Sequence, residues 1–409
     1  MQRTQQTDSE TPAETEATLG QVFLAFLRLG LTSFGGPVAH LGYFREDFVV
    51  RRRWIDERAY ADLVALCQFL PGPASSQVGI GIGLAKAGLP GAFAAWFAFT
   101  LPSALAMLAF GYGMLAFGEG VSGGALHGLK VVAVAVVAQA VWGMARTLCP
   151  DPPRISLAVV AAAVVLAAPG PLAQVLVILG GGLAGLSFAR QDVEESRSAL
   201  NIELGKPVAL ACLGAFFLLL AGLPLLAAAY PAQTIELIDS FYRAGALVFG
   251  GGHVVLPLLQ SEVVPPGWVS EDDFLAGYGA AQAIPGPLFT FAAFLGTVME
   301  PTPNGWLGAA ICMLAIAVPS FLLVVGALPF WDSLRRLRVV RRALLGVNAA
   351  VVGLLLAALY DPVWTSAILS AGDFALAAVA FTLLAFWKLP PWLVVLLTAA
   401  GGWALYILS

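Results

Sequence analysis

Five stretches of this chain, Phe93–Phe117, Val131–Met144, Val208–Tyr230, Trp306–Pro329 and Phe374–Trp387, are almost purely apolar. A helix needs about 20 apolar residues to cross the hydrocarbon core of a bilayer, and these stretches approach or reach that length. They recur along the whole chain, which constrains it to an all-α polytopic integral membrane protein. Charge usage agrees. Only 11% of the residues are charged, against about 25% in a soluble domain, so the surface cannot be covered against water.

The polar segments set further bounds. Residues 1–20 are acidic, with Arg3 as their only base. They lack the basic-then-apolar order of a cleaved signal and read as a disordered cytoplasmic tail. The cysteines Cys67, Cys149, Cys212 and Cys312 lie in or beside apolar segments without CxxC spacing or neighbouring histidines. Neither a disulfide framework nor a metal site is implied. Phosphate-binding loops, HExxH, G-x-S-x-G and dinucleotide fingerprints are absent from the sequence. No cofactor, metal, nucleic-acid partner or ATP-driven domain is therefore expected, which leaves ion gradients as the energy source.

The two halves repeat one another. "FLRLGLTSFGG" (26–36) aligns with "FYRAGALVFGG" (241–251), pairing Arg28 with Arg243 and Phe34 with Phe249. Further along, Trp54 pairs with Trp268, Gln68 with Gln282, Pro71–Pro73 with Pro285–Pro287, and Ser103 with Ser320. Gly128 with Gly346, Pro171 with Pro391 and Gly181 with Gly401 carry the match to the ends of both halves. This ordered series indicates an internal duplication. The organisation follows: a tail 1–20, a first membrane repeat 21–188, a cytoplasmic loop 189–206, a linking transmembrane helix 207–230 and a second repeat 231–409.

One extra crossing between the copies turns the second upside down. If Arg45–Arg58 faces the cytoplasm, 18 of the 21 basic residues fall on that side, including Lys86, Arg146, Arg154, Arg190, Arg197, Lys206, the arginines of 335–342 and Lys388. The opposite side receives Glu119, Glu236, Asp239, Glu262, the acidic run 271–273, Glu300 and Asp361. That distribution obeys the positive-inside rule, with the N-terminus cytoplasmic and the C-terminus outside. Inverted repeats with discontinuous helices characterise secondary transporters, whose substrate site lies near the midplane where the repeats meet.

The interruptions supply the chemistry. Gly35, Gly36 and Pro37 break one segment, Pro71, Gly72 and Pro73 the next; Gly250–Gly252 and Pro285, Gly286 and Pro287 do the same in the second half. A helix restarting at depth offers free N–H groups carrying about half a positive charge, a ready anion site. Proline suits a first helical position because it wastes no N–H, which places Pro37, Pro73 and Pro287 there. Four restarts converging on one region would cradle an anion. Ser75, Ser76 and Thr290 would add hydroxyls, and Gln68 and Gln282 amides. Arg28 and Arg243, at equivalent positions inside the membrane, offer guanidinium forks suited to tetrahedral oxyanions; the alternative is that each snorkels to the headgroups. Lys130 is basic only in the first half. His40 and His253 follow the two glycine breaks as ligands, proton relays or packed histidines. Asp62 and Glu46, beside the 45–58 arginines, are candidates for ion pairing or proton coupling, and Lys86 is a further basic candidate.

The segment from Ser33 to Ala104, "SFGGPVAHLGYFREDFVVRRRW…", together with "FGGGHVVLPLLQSEVV" and "GYGAAQAIPGPLFTFAAFLG", resembles the chromate ion transporter family. The similarity covers both halves and so resembles its long-chain, two-domain type. The resemblance implies a bacterial inner-membrane protein that exports chromate, confers chromate resistance and couples to the proton-motive force. By motif it points to Gly35, Gly36, Pro37, His40, Arg45, Asp62, Gln68, Pro71, Gly72, Pro73, Ser75 and Ser76, and to Gly250, Gly251, His253, Gln282, Pro285, Gly286 and Pro287. The partners expected are chromate or a similar oxyanion, membrane lipids and protons, with a homodimer permitted. Rival readings are a transporter of sulfate or another tetrahedral oxyanion, an intramembrane enzyme built on Asp62, His40 and Cys67, and a channel.

Overall fold

The computed structural model describes residues 17–117, 123–188, 204–334 and 337–408. Most of the tail, Glu119, Arg190, Arg197, most of the loop 189–206, Arg335 and Arg336 lie outside the described residues. Within them the fold is all helical.

Helix α1 (Leu19–Thr32) opens on a capping box in which Thr18 and Gln21 satisfy each other's backbone N–H. It ends at Ser33, where Gly35 and Gly36 turn to positive φ (99° and 77°). Helix α2 (Gly36–Phe44) restarts with Pro37 in its first turn and continues through a π-helical segment, Arg45–Arg51. Asp56 caps α3 (Glu57–Phe69). After the first Pro-Gly-Pro loop comes α4 (Ala74–Phe117), broken into two helices at Ala87 and Gly88. Helices α5 (Gly123–Leu148), α6 (Pro152–Ala167) and α7 (Pro171–Phe188) complete the first half. The linking helix α8 (Lys206–Ala229) packs on α9 and α13 and leaves most of its apolar surface exposed.

The second half rebuilds the series. It comprises α9 (Gln233–Leu247), α10 (Val255–Val263), α11 (Glu271–Ala281), α12 (Phe291–Val298) and α13 (Gly305–Ala327). Then follow the single turn α14 (Trp331–Leu334), α15 (Arg338–Ala358), the single turn α16 (Thr365–Ala367), α17 (Ala371–Ala385) and α18 (Pro391–Leu408).

Among the described residues, five helices are long and apolar enough to cross a membrane: 74–117, 123–148, 206–229, 305–330 and 338–367. Four match the sequence expectation. The fifth does not: the stretch Phe374–Trp387 becomes α17, only 15 residues long, while the fifth long helix starts at Arg338. The arginines at its start and Asn348 within it interrupt the apolar run that would have revealed it. Outward leucines on α7, α8 and α18, such as Leu172, Leu218, Leu225 and Leu397, are exposed, an apolar belt that a soluble protein would not carry.

Each half has its own aromatic core. Phe26, Phe44, Phe48 and Phe99 are fully buried against one another in the first, and Phe274, Phe291 and Phe294 in the second. The halves then meet reciprocally. Helix α5 packs on α17 and α18 of the other half, and its counterpart α15 packs on α6 and α7. Gly128 on α5 lies against the backbone of Thr398 and Ala399, and its counterpart Gly346 against that of Gly181 and Gly185. The Gly72 N–H donates to Val248 O at 2.6 Å, and the equivalent Gly286 N–H donates to Ser33 O at 2.9 Å. Equivalent residues of the two halves thus make matching contacts across their interface.

One detail of the restarts differs from expectation. Pro73 and Pro287 stand one residue before their helical segments, and their carbonyls accept from Gln77 N and Thr290 N. The glycine between the prolines takes the left-handed turn (φ 123° at Gly72, 101° at Gly286), which leaves the second proline extended (ψ 134° at Pro287).

Candidate functional site

Three of the four interruptions border one cavity of about 710 Å³. Gly35, Gly36 and Pro37 wall it from the first half; Gly250, Gly251, His253, Gln282 and Gly286 wall it from the second. The two glycine breaks touch, since a Cβ placed on Gly252 would lie 3.4 Å from Pro37 Cγ. No side chain caps α2 or the 3₁₀ turn Gly252–Val254, so their leading N–H groups are not taken by a neighbouring side chain. The Gln282 amide nitrogen is buried without a partner, and a buried donor left unpaired is costly unless a guest satisfies it. His253 Nδ1 is 2.8 Å from the Tyr278 hydroxyl, which fixes the ring at the cavity wall.

Helix α5 forms a further wall, with Leu384, Ala385, Phe386 and Pro391 beside it. Gln139 donates to Leu384 O at 3.3 Å, and Arg146 and Thr147 stand exposed at its last turn. Sequence reasoning missed Gln139 and Thr147 as cavity residues and read Arg146 as a topology charge only. A helical spacing of Gln139, Gly143 and Arg146 on one face was the available signal. Two turns earlier α5 is tied down: Lys130 donates to Asp272 at 2.8 Å, and His127 Nε2 lies 2.8 Å from Asp373 Oδ1.

The other expected residues lie elsewhere. The first Pro-Gly-Pro loop does not line the large cavity; Gln77 donates to Pro71 O at 2.6 Å and the loop is held to Val248. Pro285 is half-buried in the second loop. Pro73, Pro287, Ser76, Thr100 and Ser320 enclose a void of about 10 Å³ where the two loops cross. Thr290 bonds back to Pro287 O at 2.8 Å. His40 is buried between Ser33 O (3.2 Å) and Ser75 Oγ (3.4 Å), edge-on to Phe99, a packed histidine outside the cavity.

Neither of the paired arginines reaches the cavity. Arg28 is on the exposed face of α1. Arg243 is engaged by Asp239 at 2.7 Å and Glu262 at 3.1 Å, with Ser240 also donating to Glu262. Both acids take the same Nη2, bridging α9 and α10, while the buried Nε of Arg243 has no partner. Gln68 lines a separate groove of about 380 Å³.

Of the arginines of 45–58, Arg45, Arg51 and Arg52 pair with Glu57 and Asp47. Arg45 makes a two-pronged contact with Glu57 (2.7 and 2.8 Å), whose hydrogen bonds hold that carboxyl below the usual range. Asp47 takes Arg52 at 2.8 Å and Arg51 at 3.7 Å. Glu46 is exposed, Asp62 is half-buried on α3, and Lys86 ends the first part of α4. Among the described residues no cluster of three metal-ligating side chains occurs.

Fold and cavity together define a multi-pass helical membrane protein with a central chamber walled by interrupted helices from both halves. The family described as "Chromate transporter" matches residues 20–186 and again 235–403, and the chain belongs to that family. A "Chromate transport protein" of Pseudomonas aeruginosa is 30% identical over 412 residues, 97% of this chain and 96% of the relative. A "Probable chromate transport protein" of Synechococcus elongatus is 29% identical over 350 residues, 82% of each chain. The "Chromate transport protein" of Cupriavidus metallidurans is 29% identical over 346 residues, 82% of this chain and 80% of the relative. No solved structure matches the chain.

Proposed function

We propose that this protein is a secondary transporter that exports chromate from the cytoplasm across a bacterial inner membrane, giving chromate resistance. One observation carries the reading: the glycine breaks of both halves line the same chamber, with uncapped helical starts and the unpartnered amide of Gln282 around it. Such a chamber suits a doubly charged tetrahedral oxyanion, which needs many fixed donors and no single cation. Gly35, Gly36, Pro37, Gly250, Gly251, His253, Gln282 and Gly286 would form the binding wall.

In this reading the halves run in opposite senses through the bilayer, supported by their reciprocal contacts and by the charge distribution. The chamber opens past Arg146 to the cytoplasm, and the Lys130–Asp272 and His127–Asp373 pairs close the outer end. Rocking the interlocked helices would exchange which end is closed. Expelling a dianion from a negative-inside cell is favoured by about 2.3 kcal/mol per charge per 100 mV, and a proton antiport would add to this. Asp62, Glu46, Lys86 and Lys130 are the coupling candidates.

Sulfate, with the same charge and a similar shape, is the second reading, because backbone N–H and amide donors discriminate weakly between the two ions. An enzyme is disfavoured because the curated relatives are named as transporters. The test is chromate uptake into sealed everted vesicles, with sulfate as competitor and an imposed pH gradient. Saturable uptake that responds to the gradient is expected. Uptake of sulfate alone, or no uptake by folded protein, would refute chromate export.

A further inference from the structure

The groove that holds Gln68 is lined by three arginines of one helix. The end of α3 supplies Gln68 and Phe69; the first three turns of α15 supply Arg338, Arg341, Arg342 and Asn348. The arginines fall at i, i+3 and i+4, so a single helix face carries all three. None of them has a carboxylate partner among the described residues, although Arg45, Arg52, Arg154 and Arg243 each have one. Helix α15 begins there with Leu337 at its N-cap and no side-chain cap. Three uncompensated guanidiniums around about 380 Å³ repel one another unless an anion lies between them.

The groove adjoins the central chamber. Asn348, on its inner wall, comes within 3.7 Å of where a Cβ on Gly250 would be, and Gly250 lines the chamber. Gln68 and its repeat counterpart Gln282 thus each face a cavity, one on either side of the Asn348–Gly250 contact.

We infer that this arginine groove is a second oxyanion site, an antechamber that captures a tetrahedral dianion before it passes Asn348 and Gly250 into the chamber. The inference rests on the transport reading above. Its chemistry is charge capture by guanidinium forks, which also fit the phosphate of an anionic lipid. Capture at an exposed mouth weakens with added salt, whereas the more deeply placed donors of the chamber are screened less.

Binding is read apart from transport. The protein in nanodiscs is melted against increasing chromate, in phosphatidylcholine alone and with phosphatidylglycerol. The triple variant R338Q/R341Q/R342Q is expected to need about tenfold more chromate for the same stabilisation, with the remaining response less sensitive to salt. R338K/R341K/R342K keeps the charge but not the fork and should recover only part of the response, and a wild-type melting temperature without chromate shows that the glutamine variant is folded. A wild-type response from the glutamine variant overturns the antechamber. So does an arginine-dependent stabilisation by phosphatidylglycerol with no response to chromate, which gives the groove to lipid phosphate. Groove binding that persists while vesicles fail to transport supports the site and refutes only the transport reading.

Discussion

The backbone N–H of Gly72 donates to Val248 O at 2.6 Å, pinning the first Pro-Gly-Pro loop to the last turn of α9 in the other half. Gly286 makes the mirror bond to Ser33. Each glycine sits at positive φ, and side chains occupy the space of its missing Cβ: Gln77 Nε2 at 2.5 Å and Ser320 Oγ of the opposite half at 2.9 Å for Gly72, and Ser103 Oγ of the opposite half at 2.7 Å for Gly286. Gly72→Ala and Gly286→Ala should therefore each destabilise by about 2 kcal/mol. Gly42→Ala on α2, with open space around it, should be neutral. Melting in detergent checks all three, and a wild-type melt for either of the first two would contradict the crowding.

Arg243→Ala is expected to damage folding before transport. It strands Asp239 and Glu262, both largely buried, at a cost on the order of 3 kcal/mol. Removing the acids as well, with Asp239→Asn and Glu262→Gln, should recover much of the loss. Arg28→Ala, on an exposed helix face, should leave the melting temperature unchanged. Chromate uptake lost in a fully folded Arg243→Ala protein would restore this arginine to the substrate path.

The Lys130–Asp272 pair gives a test of alternation. A cysteine at Gln282, in a background without Cys67, Cys149, Cys212 and Cys312, reports which side reaches the chamber. Asp272→Asn should slow labelling by an impermeant maleimide from the cytoplasmic side and speed it from the other by up to about fivefold, the equivalent of one exposed ion pair. Identical rates with and without Asp272 would mean that the pair does not gate.

Asp151 caps α6 and binds Arg154 through both backbone and side chain. The Arg154 hydrogen bond, the largest influence, holds the Asp151 carboxyl below its ordinary value. A lowered carboxyl contributes stability above its unfolded-state pKa and loses it as pH falls through the folded value. Asp151→Ala should cost about 1 kcal/mol near neutral pH, and the difference from wild type should shrink in acid. Asp151→Asn keeps the cap and should show only the charge component.

The sequence disclosed the interruptions because glycine and proline clusters cannot continue a helix, so Gly35–Pro37, Gly250–Gly252 and the two Pro-Gly-Pro loops stand out in apolar runs. The repeat was equally legible, since paired landmarks such as Gln68 and Gln282 keep one order. Which breaks share a cavity was not legible. Gly286 reaches it and its counterpart Gly72 does not, a distinction made by the packing of α5 and α15 and invisible in either motif. The pairing of Arg243 with Glu262 was hidden for a similar reason: Glu262 lies on the next helix, beyond the Gly250–Gly252 break, and no local spacing announces it. Lys130 and Asp272 are farther apart still.

The exchange of α5 and α15 between halves has a consequence for how this molecule is made. Each half lends its central helix to the other, so the seam at residues 189–206 joins two pieces that cannot part. Synthesised as separate polypeptides, the halves would have to find each other in the bilayer as obligate subunits. Carrying both on one chain fixes them at equal numbers. The exchange also makes a lone half a chain with a vacant flank, exposed to clustering with its own kind.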